Sequence, residues 1–165
     1  MEVNIRYALE KDLSRIVEIL NQGIAMRSVI GYIEALKPED MKEWFFEHSN
    51  DKYPVFIAES DDIVTGWSSI SPYRLGRPAF MKTVEISYYV DADYRQRGIG
   101  NILLNNALNS TKELGYKTAL AIIMDKNIAS IKLLEKNSFQ KWGVLPDIAE
   151  IDGNILSHIY YGRRI

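Results

Sequence analysis

The sequence predicts an α/β (α+β) domain: one mixed, mainly antiparallel sheet with helices on both faces. Three observations predict it. The chain has 165 residues, 47% hydrophobic and 25% charged, which is the length and composition of one globular domain with a full core. Strand-like and helix-like runs follow one another in the order βααβββαβαββ. Strands cluster in the middle, as antiparallel neighbours do, and then alternate with helices, which sets a parallel βαβ step around Thr83 to Met124.

Each element has its own signal. Val3 to Ala8 reads as a strand. Leu13, Ile16, Val17, Leu20 and Ile24 recur at three-four spacing, with Asp12 placed as an N-cap. Pro38, Glu39 and Asp40 suit the first turn of a second helix ending near His48. Pro54 to Glu59 and Ile63 to Ser71 form a hairpin about Asp61 and Asp62. Tyr73 to Ala79 is a loop, and Thr83 to Val90 a strong strand. Gly98 to Leu114 is a helix with a broad apolar face, closed by Gly115. Lys117 to Met124 is apolar enough for a strand covered on both faces. A short helix from Ile128 to Asn137 and strands at Phe139 to Val144 and Ile155 to Arg163 complete the chain.

Composition excludes several functions. Twenty Lys and Arg against 22 Asp and Glu give a formal charge of −2, so no global basic field attracts nucleic acid. With no cysteine there is no disulfide, thiolate nucleophile or Cys-ligated zinc. His48 and His158 lack metal-ligand spacing, and no metal is expected. The longest apolar run, Ala119 to Met124, is far short of the about 20 residues of a membrane span. The start of the sequence lacks a signal-peptide core. A cytoplasmic location without membrane attachment is expected.

The chemistry concentrates in Val84 to Gly100. A strand ends at Val90, a polar loop carries Arg95, Gln96, Arg97, Gly98, Ile99 and Gly100, and a helix begins. Such a loop aims backbone N–H groups and a helix N-terminus at an anion. Gly98 and Gly100 would let a phosphate approach the backbone, and two arginines add charge. The pattern is not G-x-x-x-x-G-K-S/T, and Leu103 stands where a dinucleotide fingerprint needs a small residue. A plain loop before a Gly-containing helix start is the alternative. Strand alternation places Glu85, Ser87 and Tyr89 on one face and Val84, Ile86, Tyr88 and Val90 on the other. Glu85 is thus either a carboxylate on a solvated face or a general base.

The loop Arg95 to Gly100 resembles the R/Q-x-x-G-x-G/A loop of the GNAT N-acetyltransferases. Asn127 to Ile131, with Leu133 to Lys136 and Phe139, is similar to that family's N-x-x-S/A-I-x-L-Y/H-E-K-x-G-F segment. Glu43-Trp44-Phe45, Tyr53-Pro54, Ala58-Glu59, Gly66-Trp67, Ser71-Pro72, Arg77-Pro78-Ala79 and Thr83-Val84-Glu85 resemble, in order and spacing, its phosphinothricin/methionine sulfoximine acetyltransferase group. The resemblance covers nearly the whole chain, as one N-acetyltransferase domain at residues 1–165.

The resemblance implies a GNAT fold with splayed central strands. It implies acetyl-CoA as acetyl donor, a small-molecule primary amine as acceptor, direct transfer in a ternary complex, and a homodimer. It assigns Glu85 as general base. It assigns coenzyme binding to Tyr88, Tyr89, Val90, Arg95, Gln96, Arg97, Gly98, Ile99, Gly100, Asn101, Asn127 and Lys136. It assigns acceptor binding to Arg74, Leu75, Gly76, Arg77, Ile86 and Ser87, with Arg27, Tyr32 and Trp67 completing the wall. Leu134 departs from the family's Tyr or His, the residue held to protonate the leaving thiolate; solvent, Tyr88 or Tyr89 would then supply the proton. Acetylation of a protein N-terminus or another metabolite amine, and a non-catalytic acyl-CoA sensor, are the other readings.

Overall fold

Seven strands form one sheet in the order β1-β2-β3-β4-β5-β7-β6 in the computed structural model, which describes residues 2–165. They are β1 (Asn4–Tyr7), β2 (Val55–Ser60), β3 (Ile63–Pro72), β4 (Thr83–Val90), β5 (Thr118–Met124), β6 (Gln140–Ile151) and β7 (Asn154–Arg164). The helices are α1 (Leu13–Ala25), α2 (Lys42–Glu47), α3 (Ile99–Glu113) and α4 (Ile128–Lys136). Every neighbouring pair is antiparallel except β4–β5, the parallel step that α3 bridges. None of the described helices is long and apolar enough to cross a membrane.

Each face of the sheet carries its own core. The apolar stripe of α1, with Leu13, Ile16, Val17, Leu20 and Ile24 buried, lies with Met41 on Val55, Ile57 and Trp67. On the other face α3 and α4 bring Leu104, Ala107, Leu108 and Leu134 onto Ile70, Val84 and Ile86. Alternation along β4 separates the two: Val84 and Ile86 are buried under α3 and α4, while Glu85, Ser87 and Tyr89 face the side of α1.

Two expectations need correction. Asp12 does not cap α1. It ends a 3₁₀ turn (Glu10–Asp12), accepts the Leu9 N–H at 2.8 Å, and forms a bidentate pair with Arg6 at 2.7 and 2.9 Å. A carboxylate offered an arginine fork keeps it in preference to a helix end. The strand expected at Phe139 to Val144 is also much longer. β6 runs to Ile151 as an edge strand, with a break in register between Leu145 and Ala149 around Pro146. Proline is tolerated at an edge or bulge, where no ladder donor is missed.

Candidate active site

β4 and β5 pair only through Thr83–Thr118, Val84–Ala119 and Glu85–Leu120. Beyond that point β4 stays on β3 and β5 stays on β7, so the sheet opens into a fork. The facing edges, residues 86–90 and 121–124, keep backbone groups that no strand satisfies. An extended ligand arm with amide groups can pair there as an added strand would.

The loop at the end of β4 is held from below. Asp91, buried, accepts Arg15 Nη2 at 2.6 Å, Gln22 Nε2 at 2.9 Å and the Asp93 N–H at 2.8 Å. The Ala92 N–H donates to Gln22 Oε1 at 2.8 Å, so α1 clamps the turn from both sides. Burial raises the Asp91 carboxyl, but the hydrogen bonds from Gln22 and Asp93 and the Arg15 charge outweigh it and hold it below the usual carboxylate range.

Gln96 (φ 61°) and Gly98 (φ 83°) then adopt left-handed backbone just before α3. Alternating hands curl successive N–H groups into a concave anion nest at a helix N-terminus. No intrachain acceptor among the described residues takes the N–H of Gln96, Gly98, Ile99 or Gly100. A β-carbon on Gly98 would stand in open space at a backbone angle that disfavours one. Gly100 has a packing role besides: its β-carbon would lie 3.3 Å from Leu133 Cδ2, so its smallness also serves the α3–α4 contact.

The charged residues of this loop are exposed. Arg95 reaches Val90 O at 3.4 Å, while Arg97 donates to Asp93 O at 2.9 Å and lies 5.1 Å from the Tyr94 ring centre. The Ile99 side chain is buried, leaving its backbone to the nest. Asn101 Oδ1 accepts Asn137 Nδ2 at 3.0 Å, tying α3 to α4. Asn127 Oδ1 caps α4 by accepting the Ser130 N–H at 3.2 Å. Lys136 is exposed one turn beyond Leu133. Tyr88 enters the wall below α4 with its hydroxyl buried beside the Ser130 side chain, and burial, opposed in part by that neighbour, pushes the phenol up to about 12. Tyr89 lies against Trp67, ring centres 4.5 Å apart, on the opposite face.

Glu85 stands where the fork begins. Sheet register writes its surroundings directly. One row across the strands reads Tyr73, Thr83, Thr118 and Arg164; the next reads Ser71, Glu85, Leu120 and Gly162. Tyr73, Thr83, Thr118, Leu120 and Arg164 line a cavity of about 540 Å³, closed by Arg74, Phe80, Tyr160 and residues 142–145. Glu85 is flanked within its strand and across it by lining residues. Its carboxyl is raised by burial, with no hydrogen bond or ion pair holding it down.

The acceptor residues expected from sequence divide. Arg74 lines the cavity, 5.4 Å from the Tyr73 ring, and Ser87 shares the Glu85 face. Leu75, Gly76 and Arg77 form the exposed turn beside it. The Ile86 side chain lies in the core of the opposite face, so only its backbone borders the fork. Trp67 is buried with Nε1 on Ile16 O at 3.1 Å and gives no wall. Arg27 is committed to Asp152 at 2.6 and 2.7 Å, and Tyr32 is exposed. Trp142, Tyr160 and Arg164 were missed. The Trp142 ring rests on Gly162, where a β-carbon would sit 2.0 Å from Trp142 Cε3, and Arg164 lies over that ring at 5.5 Å. Their only sequence signal is alternation along β6 and β7, which shows once β6 is drawn at full length.

The model of the acetyltransferase (GNAT) family matches residues 12–139. The chain belongs to the GNAT family. Among relatives, it is 38% identical over 164 residues to YwnH of Bacillus subtilis, a candidate phosphinothricin acetyltransferase by name, covering 99% of both chains. It is 30% identical over 145 residues to the phosphinothricin N-acetyltransferase of Streptomyces viridochromogenes, covering 87% of this chain and 77% of that one. The structure of a Sinorhizobium meliloti GNAT phosphinothricin acetyltransferase in complex with acetyl-CoA superposes with a TM-score of 0.94 at 25% identity, covering 100% of this chain and 89% of that one. The protein is an N-acetyltransferase with the GNAT fold.

Proposed function

We propose that this enzyme acetylates the primary amine of a small amino-acid analogue such as phosphinothricin or methionine sulfoximine or sulfone, by direct transfer from acetyl-CoA in a ternary complex. The observation that carries the reading is Glu85: a half-buried carboxylate, free of any cation, placed between the fork and the cavity. The residues present suit acetyl-CoA. The fork edges offer amide partners for a pantetheine arm, and the nest from Gln96 to Gly100 offers N–H donors for a pyrophosphate, with Arg95, Arg97 and Lys136 adding positive charge. Asn127 Nδ2 can donate to the arm while its oxygen caps α4. Acetyl-CoA supplies an activated acetyl thioester.

Glu85 accepts a proton from the incoming ammonium, directly or through one water. An α-amino group has a pKa of about 8, so a modest base suffices. A backbone N–H of β4 at the fork polarises the thioester carbonyl. Nitrogen bonds to the acetyl carbon, the carbon–sulfur bond breaks with its electron pair leaving on sulfur, and the nitrogen's second proton passes to the departing thiolate, directly or through water. The buried Tyr88 hydroxyl, which has only a weak contact with the Ser130 side chain, lies on the face away from Trp67 and supports its choice over Tyr89 as hydrogen-bond donor to that sulfur. With its pKa pushed to about 12, against about 8.5 for an alkyl thiol, it keeps its proton and donates a hydrogen bond. Leu134 is fully buried beneath Tyr88 and takes no part.

A homodimer belongs to the same reading. β6 leaves Trp142, Val144, Leu145 and Ile148 exposed along an open sheet edge, and a second copy would cover them. Release of free coenzyme A thiol across a panel of amines tests the function. Turnover with amino-acid analogues is expected. Tight acetyl-CoA binding without turnover of any amine would refute it in favour of a sensor.

A further inference from the structure

His48 ends α2 with both ring nitrogens engaged: Nδ1 lies 2.6 Å from Trp44 O and Nε2 lies 3.0 Å from Ser71 Oγ. The chemistry of these partners fixes the protons. A carbonyl oxygen only accepts, so Nδ1 carries the hydrogen. In the neutral ring Nε2 then has only a lone pair, and Ser71 must donate its hydroxyl proton to it. Burial keeps the ring neutral: it lowers the His48 pKa, outweighing the Trp44 hydrogen bond and the nearby Glu47 charge that raise it.

Ser71 is the cross-strand neighbour of Glu85 on the same sheet face. Such neighbours have β-carbons about 5 Å apart, yet no hydrogen bond joins the two side chains. With its proton turned to His48, Ser71 shows only lone pairs toward Glu85. Two acceptors then stand side by side at the edge of the cavity with no donor between them. An ammonium group, with several N–H donors and a positive charge, satisfies both.

We infer that His48 is a positioning residue that locks the Ser71 hydroxyl as an acceptor, so that Ser71 and Glu85 together hold the acceptor's ammonium group before transfer. This rests on the reading of Glu85 as base. The other ionisable groups near Glu85 are Tyr89 on its own strand, Tyr32 beside Tyr89, Arg74 from the β3–β4 loop and Arg164 from β7. None of them is hydrogen-bonded to His48, whose described partners are Trp44 and Ser71. Acidification that protonates His48 reverses the device. Nε2 would donate to Ser71, whose own proton would turn toward Glu85, stabilise its carboxylate and repel the amine.

The test compares wild type, His48→Phe, Ser71→Ala and the double variant by kcat/KM against pH, with amine KM and acetyl-CoA affinity recorded. Ser71→Ala should raise the amine KM about ten-fold, the scale of a hydrogen bond to a charged group, with acetyl-CoA affinity unchanged. His48→Phe keeps an aromatic ring beside Trp44 but frees the Ser71 proton. It should raise amine KM and move the acidic limb of kcat/KM to lower pH. In the Ser71→Ala background His48→Phe should add nothing. His48→Gln, whose side-chain carbonyl can accept from Ser71, should restore the wild-type limb and guards against a merely unfolded Phe variant. Additive effects of the two substitutions, or an unchanged amine KM in Ser71→Ala, overturn the inference. Glu85→Gln on the same panel separates the two levels. If it lowers the rate while His48 and Ser71 fail to couple, only this inference falls; if it is fully active at every pH, the base assignment falls and takes this inference with it.

Discussion

Replacing Glu85 by Gln preserves shape and removes both charge and basicity. A positioned general base contributes about 10²- to 10⁴-fold. Here the amine needs only modest help, so the loss in kcat/KM near neutral pH is expected at about 10²-fold or somewhat more. The loss should shrink as pH passes about 8, where a free α-amino group is already deprotonated. Acetyl-CoA affinity should stay constant, because Glu85 lies beside the cavity-lining Thr83 and Leu120, at the start of the fork and away from the anion nest. Stability supplies an independent readout. Burial raises the Glu85 carboxyl in the folded protein above its ordinary value. The folded state then binds more protons than the unfolded chain between those two values, and stability falls as pH rises through that window. Above it, wild type carries the full penalty of a buried unpaired carboxylate. Glu85→Gln should therefore melt higher than wild type at neutral pH and equally below the ordinary carboxylate range. Thiol-release kinetics and thermal melts at several pH values decide it. Full activity of the variant at every pH, or a lower melting temperature at neutral pH, would refute the reasoning.

Gly98→Val combines a left-handed backbone angle with a side chain over the anion nest, and calorimetry should show acetyl-CoA affinity falling at least ten-fold. Tyr88→Phe removes a buried hydroxyl with only a weak contact to Ser130, so kcat should fall while melting temperature changes little. Leu134→Tyr overfills a fully buried position; a melt should register about 1–3 kcal/mol of destabilisation and the rate should change little. The Asp91 carboxyl is held low in the folded state, so its stabilisation is present above the ordinary carboxylate range and lost as pH falls through the folded value. Asp91→Asn should accordingly flatten acid unfolding followed by circular dichroism, and weaken acetyl-CoA binding through a loosened loop. Gly162→Ala should drive the Trp142 ring off its seat, raising amine KM with acetyl-CoA affinity unchanged.

Local chemistry made much of this legible. The apolar stripe of α1, the Val84 to Gly100 unit and the alternation of β4 are each written in consecutive residues, and the structure has them where periodicity puts them. What escaped depends on residues distant in sequence. Asp12 is an acceptable cap until Arg6, which the β1–β2 pairing sets beside Glu59, reaches across and takes its carboxylate. Ile86 resembles an acceptor contact by position, yet its side chain is turned to the other face by the same alternation that aims Glu85. The far half of β6 is exposed, carries Pro146 and slips register, so neither period nor apolar content marks it as a strand. Missing it hid Trp142, Tyr160 and Arg164 together, because only the long hairpin brings that flank of the cavity into place.

The two sides of the fork are drawn from different stretches of chain. One continuous segment, Thr83 to Gly100, supplies Glu85, one edge of the fork and the left-handed loop before α3. The cavity wall beyond Leu120 comes from one side of the terminal hairpin and from the β3–β4 loop; Arg74, Trp142, Val144, Leu145 and Arg164 on that wall are exposed, whereas Ile159 and Tyr161 of the same hairpin belong to the core under α3 and α4. Acceptor choice can therefore drift in evolution, or be redesigned, by rewriting an edge hairpin and one loop, while the donor half of the enzyme is left untouched. Exchanging the cavity-facing residues of the hairpin between relatives, with Ile159, Tyr161 and Arg163 kept for their ties to the core and α4, is the natural unit for moving selectivity from one amine to another, and Gly162 with Trp142 should travel together in any such exchange.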